Sequence, residues 1–140
     1  MKIHLGQETN KPFEVPEGNY VGTFFRYRPA KKAFCRCSLD QQMRFDFSLV
    51  DADGNDEGYI GSATICISKR CQCQPHGIRY FLEQWLGDRF FDFQDSEGNI
   101  ELDRLLHRKA DIQIVEVPTP GHKQPYSKLE RALPPGTLIE

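Results

Sequence analysis

At 140 residues, with 39% hydrophobic and 27% charged side chains, the chain can bury the core of one ordinary domain and is too apolar to be disordered. No apolar run approaches the roughly 20 residues a membrane helix needs, and the N-terminus shows no signal-like stretch, so a soluble cytoplasmic protein without membrane contact is expected. The formal net charge of −2 excludes a uniformly basic surface but hides an asymmetry: residues 1–50 hold eight Lys and Arg against five Asp and Glu, while residues 51–100 hold four against nine. A polyanion needs a local positive surface, not a positive total.

No internal repeat, low-complexity tract or linker is visible, so one domain over residues 1–140 is expected, with 1–16 as a lead-in and 134–140 as a tail. After "VPEGN" a first strand runs from about Tyr20 to Arg28, ended by Pro29 and the lysines behind it. On strict alternation Val21, Phe25 and Tyr27 share one face, and Tyr20, Phe24 and Arg26 the other. In "MRFDFSLV", Met43, Phe45, Phe47 and Leu49 alternate with Arg44, Asp46 and Ser48, a second strand with one buried and one wet face. "DADGNDEG" is a polar turn, and "YIGSATICIS" a third strand rich in β-branched residues.

Beyond "KRCQCQPHG" the period changes. Ile78, Phe81, Leu82, Trp85 and Leu86 fall at helical spacing, with Gly87 placed to end the helix and Trp85 expected in the core. "FFDFQDSEGN" reads as a short strand or an extended loop, and "IELDRLLHRKA" as a short helical segment packing Leu102, Leu105 and Leu106. "DIQIVEV" is a fourth strand, and "YSKLERAL" a fifth, stopped by Pro134 and Pro135. Three strands, a helix and two strands is the order of the OB-fold, a five-stranded Greek-key barrel. The expected fold is therefore mainly β, an OB-like barrel with its helix between strands three and four.

In that fold, oligonucleotides and oligosaccharides bind the face of strands two and three and the loops joining strands one to two and four to five. The segment Tyr20–Asp40 carries Arg26, Arg28, Lys31, Lys32 and Arg36, with no acid before Asp40 and with Phe24, Phe25, Tyr27 and Phe34 interleaved. The second loop, "PTPGHKQP", adds His122 and Lys123. Cations that follow phosphates beside rings that stack bases are what a single strand requires. The candidate nucleic-acid-binding residues are Arg26, Tyr27, Arg28, Lys31, Lys32, Phe34, Arg36 and Lys123.

The chain also resembles a known family. "FEVPEGNYVGTF", "RFDFSLVD" with "GYIGSATICIS", "IRYFLEQWLG", "LDRLLHRKADIQIVEV" and "QPYSKLERALPPG" are similar, in this order over roughly residues 13–136, to small phage-encoded single-stranded DNA-binding proteins. The resemblance implies an OB-fold that coats single-stranded DNA in a bacterial host, beside replication or recombination enzymes. A homo-oligomer is expected. Two departures stand out. His107-Arg108-Lys109 occupies the place where such proteins often have a glycine-lysine turn, and "PPGTLIE" lacks the acidic tail by which many of them recruit partner enzymes.

Other chemistry is less well supported. Five cysteines cannot all pair, and reduced thiols are expected. Cys35, Cys37, Cys71 and Cys73 would suffice for a structural zinc site, with His76 able to replace one. Their single-residue spacing, however, is shorter than the two to four residues of ribbons and fingers, so free thiols and no cofactor are expected. Cys66 reads as buried packing. In "DADGNDEG" the glycine position of a calcium loop holds Asp56, and the twelfth position holds Ser62 instead of glutamate. No nucleophile elbow, P-loop or zinc-protease signature is present, and His4, His76, His107 and His122 are scattered, so no enzyme is expected. The competing reading is a protein-binding module, an inhibitor or adaptor, that offers the acidic stretches Asp51–Glu57 and Asp88–Glu97 to a basic partner.

Overall fold

The computed structural model describes residues 15–31, 36–68, 77–118 and 126–139. Its strands are β1 (Gly18–Pro29), β2 (Gln42–Asp51), β3 (Ile60–Cys66), β4 (Lys109–Val117) and β5 (Tyr126–Leu133), with the helix α1 (Ile78–Leu86) between β3 and β4. All pairings are antiparallel, in the order β3-β2-β1-β4-β5. The mainly β fold and the position of its helix are those expected. The sheet curls without closing: among the described residues no ladder joins β3 to β5, although a Cβ at Gly61 of β3 would lie 3.5 Å from Leu129 Cδ1 of β5.

One irregularity decides which side chains enter the core. Between Phe24↔Phe47 and Arg26↔Asp46 the β1–β2 register slips, leaving Phe25 as an extra residue. A bulge of this kind reverses the alternation of everything after it. Tyr20, Gly22 and Phe24 are buried before it, and Tyr27, opposite the buried Phe45, turns inward after it. The grouping expected from strict alternation is thus corrected: Arg26 leaves the face of Tyr20 and Phe24, and Tyr27 joins it.

The core is aromatic at its centre. The Phe24 ring lies 5.0 Å from Phe45, 5.4 Å from Phe47 and 5.6 Å from Trp85, the last edge to face. Helix α1 supplies Phe81, Leu82 and Trp85, as its periodicity implies, and Trp85 Nε1 donates to the Lys109 carbonyl at 2.9 Å, tying the helix to the start of β4. Gly87 ends the helix at φ 56. The segment read as strand or loop is instead a 3₁₀ turn over Gly87–Phe93, followed by a tight turn bridged by Gln94 and Ile100. Only one 3₁₀ turn, Leu102–Leu105, forms in the next helical segment, and it buries Leu105. The buried Asp111 accepts the N–H groups of Leu138 and Ile139 at 2.7 and 3.0 Å, which anchors the C-terminal segment without an unpaired charge.

Gly22 lies between β2 and β4 with no room for a side chain. A Cβ there would meet Ile112 Cγ1 at 2.6 Å and Phe47 Cβ at 3.3 Å, and both of those side chains are fully buried. Gly22→Ala is therefore expected to cost roughly 1–3 kcal/mol by overpacking, read as a lower urea midpoint at unchanged slope in Trp85 fluorescence. An unchanged midpoint would show that the crossing is looser than described.

Candidate functional site

Residues directly opposite in antiparallel strands share a face, so the register assembles the outer surface of β1–β3 in rows. Arg26 opposes Asp46, which opposes Ser62; Arg28 opposes Arg44, which opposes Thr64. Asp46 is completely buried beneath this surface. Arg26 Nε donates to its Oδ2 at 2.7 Å and Arg28 Nε at 3.0 Å, Arg44 Nε lies 3.5 Å from Oδ1, and Ser62 Oγ donates to Oδ1. Burial alone would raise the Asp46 carboxyl. The hydrogen bond from Ser62 and the guanidinium groups of Arg26 and Arg28 outweigh it and hold the group below the ordinary carboxylate value.

The charge count is uneven, with three guanidinium groups around one carboxylate. The arginine side chains are 39–47% exposed while the aspartate is 0% exposed. Ion pairs with one partner this exposed contribute about 0–1 kcal/mol each, so the cluster is a weak way to stabilise a sheet. It is an effective way to gather three cations in a fan, because all three approach Asp46 through Nε while their side chains stay partly exposed. A groove of about 350 Å³ runs beside them to the unpaired edges of β3 and β5, with Ile60, Ser62, Ser127 and Leu129 in its walls. Phe25, on the bulge, is half-buried with the Arg26 guanidinium 5.1 Å above its ring.

Of the residues singled out from sequence, Arg26 and Arg28 meet on this face. Lys31 and Arg36 are exposed beyond the end of β1 and before the start of β2. Tyr27 is placed on the other side. Its ring stacks on Phe24 at 6.3 Å, and its hydroxyl donates to Asp103 Oδ1 at 2.6 Å, a bond that holds the phenol above its ordinary pKa. Its ring and hydroxyl therefore have partners within the protein, on the face opposite the arginines. Lys32, Phe34, Lys123, Cys35, Cys71, Cys73 and His76 lie outside the described residues. Cys37 is half-buried and Cys66 is buried. Among the described residues no group of three or more His, Cys, Asp or Glu could hold a metal, and no helix is long and apolar enough to cross a membrane.

Arg44, Asp46 and Ser62 were not singled out. The signal for the first two was present in the alternation of "MRFDF", which sets Arg44 and Asp46 together on the non-core face. The acidic turns have a different character. Asp51 Oδ1 accepts the N–H groups of Asp53 and Asn55, and Asp95 Oδ1 those of Glu97 and Asn99, each at 2.9 Å. The turns "DADGN" and "DSEGN" are thus built alike, with Gly54 at φ 87 and Gly98 at φ 84, and their first carboxylates close the turn. Compared with protein-family models, with curated proteins and with solved structures, the chain matches none.

Removing the Asp46 charge tests the fan directly. Asp46→Asn is expected to cost about 1–3 kcal/mol at pH 7 by leaving the cluster partly unsatisfied. The folded carboxyl titrates below the unfolded one, so its contribution is present above about pH 4 and lost as pH falls through the folded value. The gap between wild type and variant should accordingly shrink in urea unfolding at pH 3. A gap that is independent of pH would show that the carboxylate charge is not what holds the arginines.

Proposed function

We propose that the protein binds single-stranded DNA without base specificity, laying the sugar-phosphate backbone across the arginine face of β1–β3. The observation that carries this reading is the fan of Arg26, Arg28 and Arg44 around the buried Asp46, on the face where OB-folds take oligonucleotides. Guanidinium forks match phosphate oxygens bidentately, and a fork already oriented loses less side-chain freedom on binding. Phosphate contacts position a strand but read no sequence, which is why the reading is non-specific. Phe25 offers a half-exposed ring beside the first phosphate position, and Lys31 and Arg36 extend the positive surface toward the loop after β1. The resemblance of the sequence to phage-type single-strand binders supports the same reading, with a role in replication or recombination of phage or mobile-element DNA as part of the proposal.

The competing protein-binding reading draws less support, because Asp51 and Asp95 are occupied with their own backbones. The test is fluorescence anisotropy of labelled oligo-dT, with matched duplex as control, at low and moderate salt. Tight single-strand preference that weakens with salt is expected. Arg44→Gln, the substitution least tied to Asp46, should reduce the slope of log affinity against log salt by about 0.7. Absence of binding at low salt would overturn the reading.

A further inference from the structure

A second pair of arginines lies where the first face ends. Arg104, in the 3₁₀ turn before β4, and Arg108, just before the strand, are both exposed. Their guanidinium carbons stand 5.3 and 5.1 Å from the centroid of a single ring, Phe93, which is itself buried. Among the described residues neither makes an ion pair. Arg104 has one long hydrogen bond, 3.4 Å, to the Asp92 carbonyl, and the carboxylate next to it in sequence, Asp103, accepts from Tyr27.

This arrangement needs an explanation. A guanidinium over the face of an aromatic ring at an exposed site gains only about 0.5–1 kcal/mol. Both guanidinium groups are held within about 5.3 Å of one ring centroid, and neither has a carboxylate partner among the described residues. Two exposed cations held in this way are available to an anion.

Position along the sheet names the anion. His107 takes a left-handed backbone, φ 69, and in that turn its N–H donates to the Phe24 carbonyl at 2.7 Å while the Phe24 N–H donates to the Arg108 carbonyl at 3.0 Å. Arg108 is therefore fastened to β1 one residue before the Phe25 bulge. Lys109, exposed, opposes Thr23, and Thr23 opposes Ser48, so Lys109 stands in the outer-face row next to that of Arg26 and Asp46. Arg44, Arg28, Arg26 and Lys109 thus share the outer face, and Arg108 and Arg104 follow round the start of β4, on the side where Tyr27 meets Asp103.

We infer that Arg104 and Arg108, braced on Phe93, form a second phosphodiester subsite that takes a bound single strand onward past the β1 bulge and round the start of β4. This inference rests on the reading of the arginine face as a single-strand site, and names a further part of the strand's path.

The experiment uses the full chain and labelled oligo-dT of about 4 and about 16 nucleotides, the span of site sizes for one OB-fold. In the double variant Arg104→Gln/Arg108→Gln, the short oligomer should bind as to wild type. The long one should bind more weakly, its salt slope smaller by about 1.4, two contacts at about 0.7 each. Arg104→Lys/Arg108→Lys should restore the slope, which a merely structural role would not require. Unchanged binding of the long oligomer overturns the second subsite and leaves the first intact. An equal loss for both lengths overturns it as well, since the charges would then act through the general field. Failure of wild type to bind either length removes the underlying reading, and this one with it.

Discussion

A single extra residue in β1 sets the relation between core and surface. Without the bulge at Phe25, the alternation that buries Tyr20, Gly22 and Phe24 would carry Arg26 and Arg28 into the aromatic core, where an unpaired guanidinium is prohibitively costly. With it, Tyr27 turns inward over Phe24 and the two arginines emerge opposite Asp46 and Arg44. The same bulge lies next to the backbone bonds that fasten His107 and Arg108 to Phe24. One local irregularity therefore aims Arg26 and Arg28, and OB-like strand order supplies the curved sheet on which they are displayed.

Asp46 explains why the cluster is ordered when its ion pairs are individually weak. A buried carboxylate without partners would be strongly destabilising; satisfied by one serine and approached by three arginines, it becomes an anchor. Part of the arrangement's electrostatic demand is left unmet, because three positive groups surround one negative group. That surplus distinguishes this face from the surface pairs Arg79–Glu83 and Lys128–Glu130, which are neutral in sum.

Much of the architecture was legible in the sequence where one physical rule acts alone. The period-2 pattern of "MRFDFSLV" and the 3.6-residue pattern of "IRYFLEQWL" each match their observed elements, and Gly87 ends the helix as its place suggests. Legibility failed where tertiary structure overrides local pattern. The bulge has no signature in "TFFRY", so strict alternation groups Tyr27 with Val21 and Phe25, and Arg26 with Phe24, the reverse of the observed register. In the sequence Asp46 reads as any wet-face acid, because the partners that gather over it include Arg26 and Arg28 from β1 and Ser62 from β3, which local pattern does not bring together. "GDRFFDF" forms a 3₁₀ turn because Phe90 and Phe93 both reach the core, a spacing of three that the turn satisfies. Likewise His107 adopts a left-handed backbone that glycine would favour, which nothing in "LLHRKA" announces.

The most direct measurement is a ¹H–¹⁵N shift titration of the protein with oligo-dT, following backbone amides together with the arginine Nε–H signals. Binding across the arginine face requires the largest changes at Arg26, Arg28, Arg44 and their neighbours on β1–β3, with the turns at Asp51–Asn55 and Asp95–Asn99 nearly silent. Changes concentrated at those acidic turns, with the three arginine Nε–H signals unmoved, would contradict the account.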